Sequence, residues 1–296
     1  MSKNKKRRSG CGCFLLIIIL CFAIYGGVYA ANLYTAEISP STTEDGAVIK
    51  TAPLTGNLIN ILALGSDGSD LLTDTIIVFQ VNTKEKTVKS LSIPRDTQVT
   101  KNGHKIKINA AYGYSDRESS TIASITELTG LDIHYYATIG LDGFRDFIDY
   151  LGGVEIDVPQ NMNYYDPAQN LTINIKKGLQ HMDGKTAEGF VRFRSGYADA
   201  DIGRMHAQQI FVKELARQKF TTANILNAKN IYNEAKKFVN TNMSMKSAVK
   251  IIKAMRSSDA EIQSFDLPGA SQYIGGVSYY IADKAAINKL INTEFH

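Results

Sequence analysis

Beyond Cys21 the sequence contains no cysteine, since Cys11, Cys13 and Cys21 are all it has. A small secreted module stapled by disulfides is therefore excluded, and a hydrophobic core has to hold whatever follows. Internal repeats and low-complexity tracts are absent too, which leaves a globular fold rather than a fibrous or disordered chain. A general excess of positive charge is also missing. The formal net charge is +4, but Lys3, Lys5, Lys6, Arg7 and Arg8 supply five of the 33 Lys and Arg, leaving 28 against 29 Asp and Glu. The bulk charge thus gives no nucleic-acid footprint, and no nucleic-acid partner is expected.

Charge vanishes altogether between Phe14 and Tyr34. As a helix, Phe14 to Ala31 extends about 27 Å at ~1.5 Å per residue, close to the thickness of a bilayer core. The basic cluster before it should stay in the cytoplasm and send the remainder outside. The expected organisation is a cytoplasmic basic tail (1–13), a transmembrane helix (14–34), an extracellular linker (35–53) and one extracellular domain (54–296). The protein would then be a single-pass protein of the cell membrane. The small residues at Ala30 and Ala31 leave a cleaved signal peptide as the alternative, although the apolar run exceeds the usual ~7–15-residue core of such peptides.

In the exterior part, Leu58 to Leu64 and Thr75 to Val81 are apolar, β-branched runs, and Thr87 to Ile93 follows a polar turn, which predicts a strand and then a hairpin. Helices are expected at Arg117–Leu131, Leu141–Leu151, Lys185–Phe193, Gly203–Gln218, Ala223–Phe238, Lys246–Arg256 and Asp283–Ile291. Further strands are expected at Ile133–Ile139, Val154–Val158, Leu171–Ile175, Ile262–Leu267 and Val277–Ile281. Strands alternating with helices, with at least one hairpin, point to an α/β fold. The expectation is an α-β-α sandwich around a central mixed sheet.

Three places hold charge that packing does not require. Between the first two strands, Asp67, Asp70 and Asp74 sit among glycines and serines. Such carboxylates can supply hard oxygen ligands to Mg²⁺, which takes one or two of them together with substrate phosphate, or they can simply cap a polar turn. Next, Ser92-Ile93-Pro94-Arg95-Asp96-Thr97 ends a strand in an Arg-Asp pair. Lys105 and Lys107 share one face of the extended run that follows. Third, the stretch VRFRSGYADADIGRMHAQQ (191–209) concentrates arginine. If Val191 to Arg194 is extended, Arg192 and Arg194 point the same way; if helical, they diverge. Asp201 is placed to cap a helix on which Arg204 and Gln208 share its stripe. Arginine forks suit phosphate oxygens, and several around one site suit a diphosphate.

Taken in order, Gly65-Ser66-Asp67, Thr73-Asp74-Thr75, Ser92 to Thr97, Lys107 to Tyr112, Gly152-Gly153-Val154, Val191 to Arg194 and Asp201 to Arg204 resemble the LytR-CpsA-Psr family, over roughly residues 57 to 220 together with the N-terminal anchor. The resemblance implies attachment of a glycopolymer, such as teichoic acid or capsular polysaccharide, to peptidoglycan in Gram-positive bacteria. The donor is a polyprenyl-diphosphate-linked glycan and the cofactor Mg²⁺. It implies Asp67 and Asp74 as metal ligands. Arg95, Arg192, Arg194 and Arg204 would be diphosphate-binding residues, with Lys107, Asp201 and Gln208 lining the same site. Asp96 and Asp201 are the candidates for the catalytic base, beside Arg95. Phe211, Val212 and Leu215 are candidates to line an apolar tunnel for the lipid tail. The sequence departs from the family pattern at Ser69 and Leu72, where arginines are usual. That departure keeps a lipid-diphosphate hydrolase or an inactive lipid-diphosphate binder open as alternatives. A membrane-anchored regulator is a third, disfavoured because residues 1–13 cannot hold a DNA-binding module.

Overall fold

The first two strands are apolar at nearly every position because both faces of the sheet they form are covered. In the computed structural model, β1 (Leu58–Ser66) sends Ile59, Ile61 and Ala63 into one hydrophobic cluster and Leu62 and Leu64 into another. β2 (Thr73–Asn82) divides in the same way, with Ile77, Phe79 and Val81 on one side and Ile76 and Val78 on the other. The structure describes residues 51–66, 72–167, 171–193, 228–244 and 263–295, together with Ala207, Ile210, Phe211, Glu214, Leu215, Gln218, Lys219, 246–248 and Ile251.

The remaining strands are β3 (Thr87–Ser92), β4 (Gln98–Lys101), β5 (His104–Lys107), β6 (Tyr135–Ile139), β7 (Val154–Val158), β8 (Met162–Asp166), β9 (Leu171–Ile175), β10 (Gly178–Met182), β11 (Val239–Thr241), β12 (Gln263–Asp266), β13 (Gly269–Ile274) and β14 (Val277–Ala282). The helices described here are α1 (Arg117–Thr129), α2 (Leu141–Tyr150), α3 (Gly184–Arg192), α4 (Ala228–Phe238) and α5 (Lys284–Glu294), and a 3-10 turn covers Ile108–Gly113. The central sheet is six-stranded in the order β11-β6-β1-β2-β3-β12. It is mixed: β1 is antiparallel to β2 and parallel to β6, and β12 is parallel to β3. Its two edge strands are only three and four residues long, which limits unwanted pairing with other chains.

One face is covered by α2, α3 and the small pairs β7–β10 and β8–β9, through Phe144, Phe147, Ile156, Ile173 and Phe190. The other is covered by the 3-10 turn, α1 and α5, through Tyr112, Ile122, Ile125, Ile287 and Phe295. Local chemistry sets the ends of these helices. Asp183 accepts from the Thr186 N–H to cap α3, and Asp283 accepts from Ala285 and Ala286 to cap α5. Gly130, at φ 73°, takes the left-handed turn that stops α1.

Of the two readings of Val191 to Arg194, the structure shows the helical one for Val191 and Arg192, in keeping with the helix expected at Lys185–Phe193, and not the extended one. Val191 and Arg192 close α3, and only Phe193 turns extended, at φ −62° and ψ 125°. The reason is local, because Glu188 lies one turn before Arg192 and pairs with it along the helix. Arg194 lies outside the described residues. Phe211 and Leu215 are core residues: both are buried, and the Phe211 ring packs against Phe144 at 5.8 Å and Phe190 at 6.4 Å. Val212 lies outside the described residues. Among the described residues no helix is long and apolar enough to cross a membrane, and the span expected at 14–34 falls outside them.

Candidate functional site

The charged groups gather at one end of the central sheet. β1, β3, β6 and β12 all terminate there, and β2 begins there, because Ser66 pairs with Thr73, Gly65 with Ile139, and Ser92 with both Ile77 and Asp266. The C-terminal ends of parallel strands are where ligands sit in open α/β sheets, since loops rather than covering helices lie there.

Asp74 stands one residue inside β2 at that end. Its carboxylate accepts from Arg95 Nη1 at 2.5 Å, with both side chains 44% exposed. Arg95 belongs to a tight turn that starts at Pro94, whose carbonyl accepts from the Thr97 amide at 2.9 Å and hydroxyl at 2.6 Å. The turn is gripped from two further directions. The Asn109 N–H donates to Arg95 O at 3.1 Å, and the Tyr280 N–H donates to Asp96 O at 2.8 Å. Lys107, at the end of β5, reaches Asp96 with Nζ–Oδ1 2.8 Å. Arg95, Asp96 and Lys107, read from the sequence as one neighbourhood, are therefore brought together with Asp74.

Arg192 approaches from the other face. The Gly184 N–H donates to Asp149 near the end of α2, and Glu188 accepts from Arg145 nearer its start. Helix α3 thus runs antiparallel to α2 and carries Arg192 back toward the sheet end from which α2 departs. Glu188 bridges Arg145 Nη1 at 2.7 Å and Arg192 Nη1 at 2.5 Å, and its own side chain is only 6% exposed. Asp142 is a second partner of Arg145.

These pairs differ in strength. Half-exposed pairs such as Arg95–Asp74 and Lys107–Asp96 contribute about 0–1 kcal/mol each, so an incoming anion can take over their cations at little cost. A buried carboxylate shared by two guanidiniums is held more firmly, because its desolvated charge keeps both partners close. Arg192 is therefore locked in position, while the half-exposed pairs of Arg95 with Asp74 and of Lys107 with Asp96 are exchangeable.

Glu188, Arg145 and Glu118 were not singled out from sequence. For Glu188 the signal was present, an acid four residues before an arginine on a helix. Glu118 had no such signal. It is 2% exposed, and its Oε1 accepts from Tyr112 Oη (3.2 Å), Thr138 Oγ1 (3.2 Å) and Asn240 Nδ2 (2.8 Å). Burial first, and then the Glu118 charge, push the Tyr112 hydroxyl well above its ordinary range, so it stays a donor.

Asp67, Ser69, Arg194, Asp199, Asp201, Arg204 and Gln208 lie outside the described residues. Leu72, where the family pattern has an arginine, is exposed at the mouth of the loop. Among the described residues no three His, Cys, Asp or Glu side chains cluster as a metal cage. The donor set still fits Mg²⁺, which typically takes one or two carboxylates and completes its shell with phosphate and water. Asp74 offers a half-exposed carboxylate with capacity beyond its one bond to Arg95.

Comparison with known proteins agrees with this fold. The teichoic acid transferase TagV of Bacillus subtilis, named as a polyisoprenyl-teichoic acid–peptidoglycan transferase, is 28% identical over 81% of this chain and 63% of its own length. A TagU of the same description from Bacillus mycoides is 27% identical over 94% of each chain. The crystal structure of B. subtilis TagV matches the fold with a TM-score of 0.66 at 27% identity, over 81% of this chain and 96% of that one. The LytR_cpsA_psr family model covers residues 26–296, and the chain belongs to that family.

Proposed function

We propose that this protein transfers a glycopolymer from a polyprenyl-diphosphate donor to peptidoglycan; TagV and TagU are named as polyisoprenyl-teichoic acid–peptidoglycan teichoic acid transferases. The observation that carries this reading is the gathering of Arg95 and Lys107 at one sheet end beside Asp74 and Asp96, with Arg192 closing a helix that runs back toward that end. In the reaction an acceptor hydroxyl forms a bond to the phosphorus nearest the glycan. The bridging P–O bond breaks, and polyprenyl phosphate leaves with the electron pair.

Such a step asks the protein mainly to hold the diphosphate and stabilise charge on its oxygens. Arg192, locked by Glu188, supplies a fixed cation. Arg95 and Lys107 leave their carboxylates for the diphosphate, which frees Asp96 to accept the hydroxyl proton. Asp74 would hold Mg²⁺, together with Asp67, and the ion would neutralise diphosphate charge.

The same reading includes a membrane anchor at 14–34 with the domain outside. Thr51 and Ala52 enter the fold beside Asn242 and Ile133, at the sheet end opposite Asp74. β1 spans ~30 Å over its nine residues. Residues 35–50 reach about 50 Å when extended, enough to let the charged end turn back to the bilayer where a lipid-linked donor resides.

The test incubates the full chain in detergent with a lipid-diphosphate-linked glycan, Mg²⁺ and peptidoglycan oligomers. The expected product is the glycan joined to peptidoglycan through a phosphodiester. Arg95→Ala should lower turnover about 10²–10³-fold, as for loss of one donor to a developing oxyanion. Loss of the half-exposed pair with Asp74 should by itself lower stability by no more than about 1 kcal/mol. Free glycan phosphate as the sole product would make the protein a hydrolase, and wild-type turnover in Arg95→Ala would remove the site assignment.

A further inference from the structure

The exposed hairpin β13–β14 lies against the charged site and is explained by neither the core nor the diphosphate. Its strands pair from Gly269↔Ala282 to Ile274↔Val277 around Gly275-Gly276. Its base is tied to the site itself: the Leu267 N–H donates to Ser92 O, the Tyr280 N–H to Asp96 O, and Thr97 bridges Tyr280. Tyr280 packs against the core and donates its hydroxyl to Leu267 O at 2.6 Å. Beyond that point the hairpin projects into solvent, with Tyr273 82% exposed and Ile274 and Val277 also exposed.

Its sequence, GASQYIGGVSYYIA, holds three tyrosines, two serines and a glutamine but no charged residue, in a chain that is 21% charged. A polyanionic glycopolymer or an anionic lipid surface calls for Lys or Arg, and this hairpin has none. Uncharged aromatic rings flanked by hydroxyl and amide groups fit the apolar faces and hydroxyl edges of neutral sugar rings instead. We propose that the hairpin is the acceptor platform, on which Tyr273 packs against the neutral hexosamine chain of peptidoglycan next to the Arg95–Asp96 turn. This assignment rests on the transferase reading above for its meaning, but not for its test.

The full chain is first sedimented with insoluble peptidoglycan stripped of glycopolymer, and in parallel with lipid vesicles containing anionic lipid. Tyr273→Ala should bind peptidoglycan at least about fivefold more weakly, as for truncation of an aromatic anchor. Vesicle binding should be unchanged and Tyr273→Phe should behave as wild type. In the transfer assay, Tyr273→Ala should raise KM for peptidoglycan oligomers by a similar factor and leave KM for the lipid-linked donor unaltered. Equal sedimentation of wild type and Tyr273→Ala overturns the proposal, as does a loss confined to vesicles. Tyr273-dependent sedimentation by a protein that makes no transfer product would sustain the surface and refute the transferase reading alone.

Discussion

Replacing Glu118 with alanine tests whether a buried carboxylate holds the site end of the sheet together. Three donors converge on its Oε1, and Thr138 and Asn240 are register partners across β6 and β11. The third donor, Tyr112, belongs to the 3-10 turn in which the Asn109 N–H holds Arg95 O. Two effects compete. A buried charge is costly, so its removal favours folding. Against that, three buried donors lose their acceptor at about 1–3 kcal/mol each, and the vacated volume adds a cavity term. The hydroxyls of Tyr112 and Thr138 can rotate toward other acceptors, which places their losses at the low end. The Asn240 amide is fixed by its strand and incurs more.

The sum is a loss of about 4 kcal/mol, a large part of the ~5–15 kcal/mol that stabilises an ordinary domain. For a domain of this size that is a fall in Tm of about 8–16 °C. Glu118→Gln keeps the Oε1 acceptor and should lose only about 1–2 kcal/mol, since a neutral acceptor is roughly half as strong as an ionised one. Thermal and urea unfolding of the two variants measures this. A loss under about 1 kcal/mol in Glu118→Ala would mean that the desolvation cost of the carboxylate cancels its bonds. Equal losses in Ala and Gln would mean that the negative charge, which both variants lack, is what matters, and not the acceptor that Gln keeps.

Gly184→Ala and Gly189→Ala, five residues apart on α3, should move in opposite directions. A Cβ at Gly184 would lie 2.6 Å from the Arg145 carbonyl carbon, forcing apart the helix contact that sets Glu188 and Arg192; unfolding should show a loss of at least about 1–3 kcal/mol. At Gly189 the nearest atoms are Ile173 and Ile175 side chains at 3.5–3.7 Å, so alanine should be tolerated and gain about 0.5–1 kcal/mol of helix preference. Acid should destabilise the protein through His134: burial lowers its pKa against the opposing charge of Asp132, and its Nδ1 accepts the Asn60 N–H. Because the folded pKa lies below the unfolded ~6.5, the stabilisation is complete above that pH and is lost as pH falls toward the folded value. His134→Gln should flatten stability in that window, and an unchanged pH profile would assign the acid sensitivity elsewhere.

The strands were legible where burial on both faces left no ambiguity. Ile61 to Leu64 and Ile76 to Val81 could not be surface, and the structure pairs them at the sheet centre. β4, β8, β10, β11 and β13 were not anticipated because they are short, polar or exposed, so they lack the alternation that marks a half-buried strand. Nothing local in GASQYI announces a strand, since its order comes from pairing with β14 and from the tie between Tyr280 and Asp96.

The site was legible in one sense only. Charge that the core does not need marked Arg95, Asp96, Lys107 and Arg192, but which carboxylate each would meet depends on topology. Asp74 is 21 residues from Arg95, and the two meet because β2 and β3 form a hairpin whose open end is the site. Arg192 shows the converse. Read as extended it would have faced a neighbour two residues on. As the last residue of α3 it answers instead to Glu188, four residues back, and through Glu188 to Arg145. Arg192, one of the arginines proposed for the diphosphate, is thereby firmly placed, and pre-placement suits that proposed role, because fixed charge needs less reorganisation when a bound donor reacts.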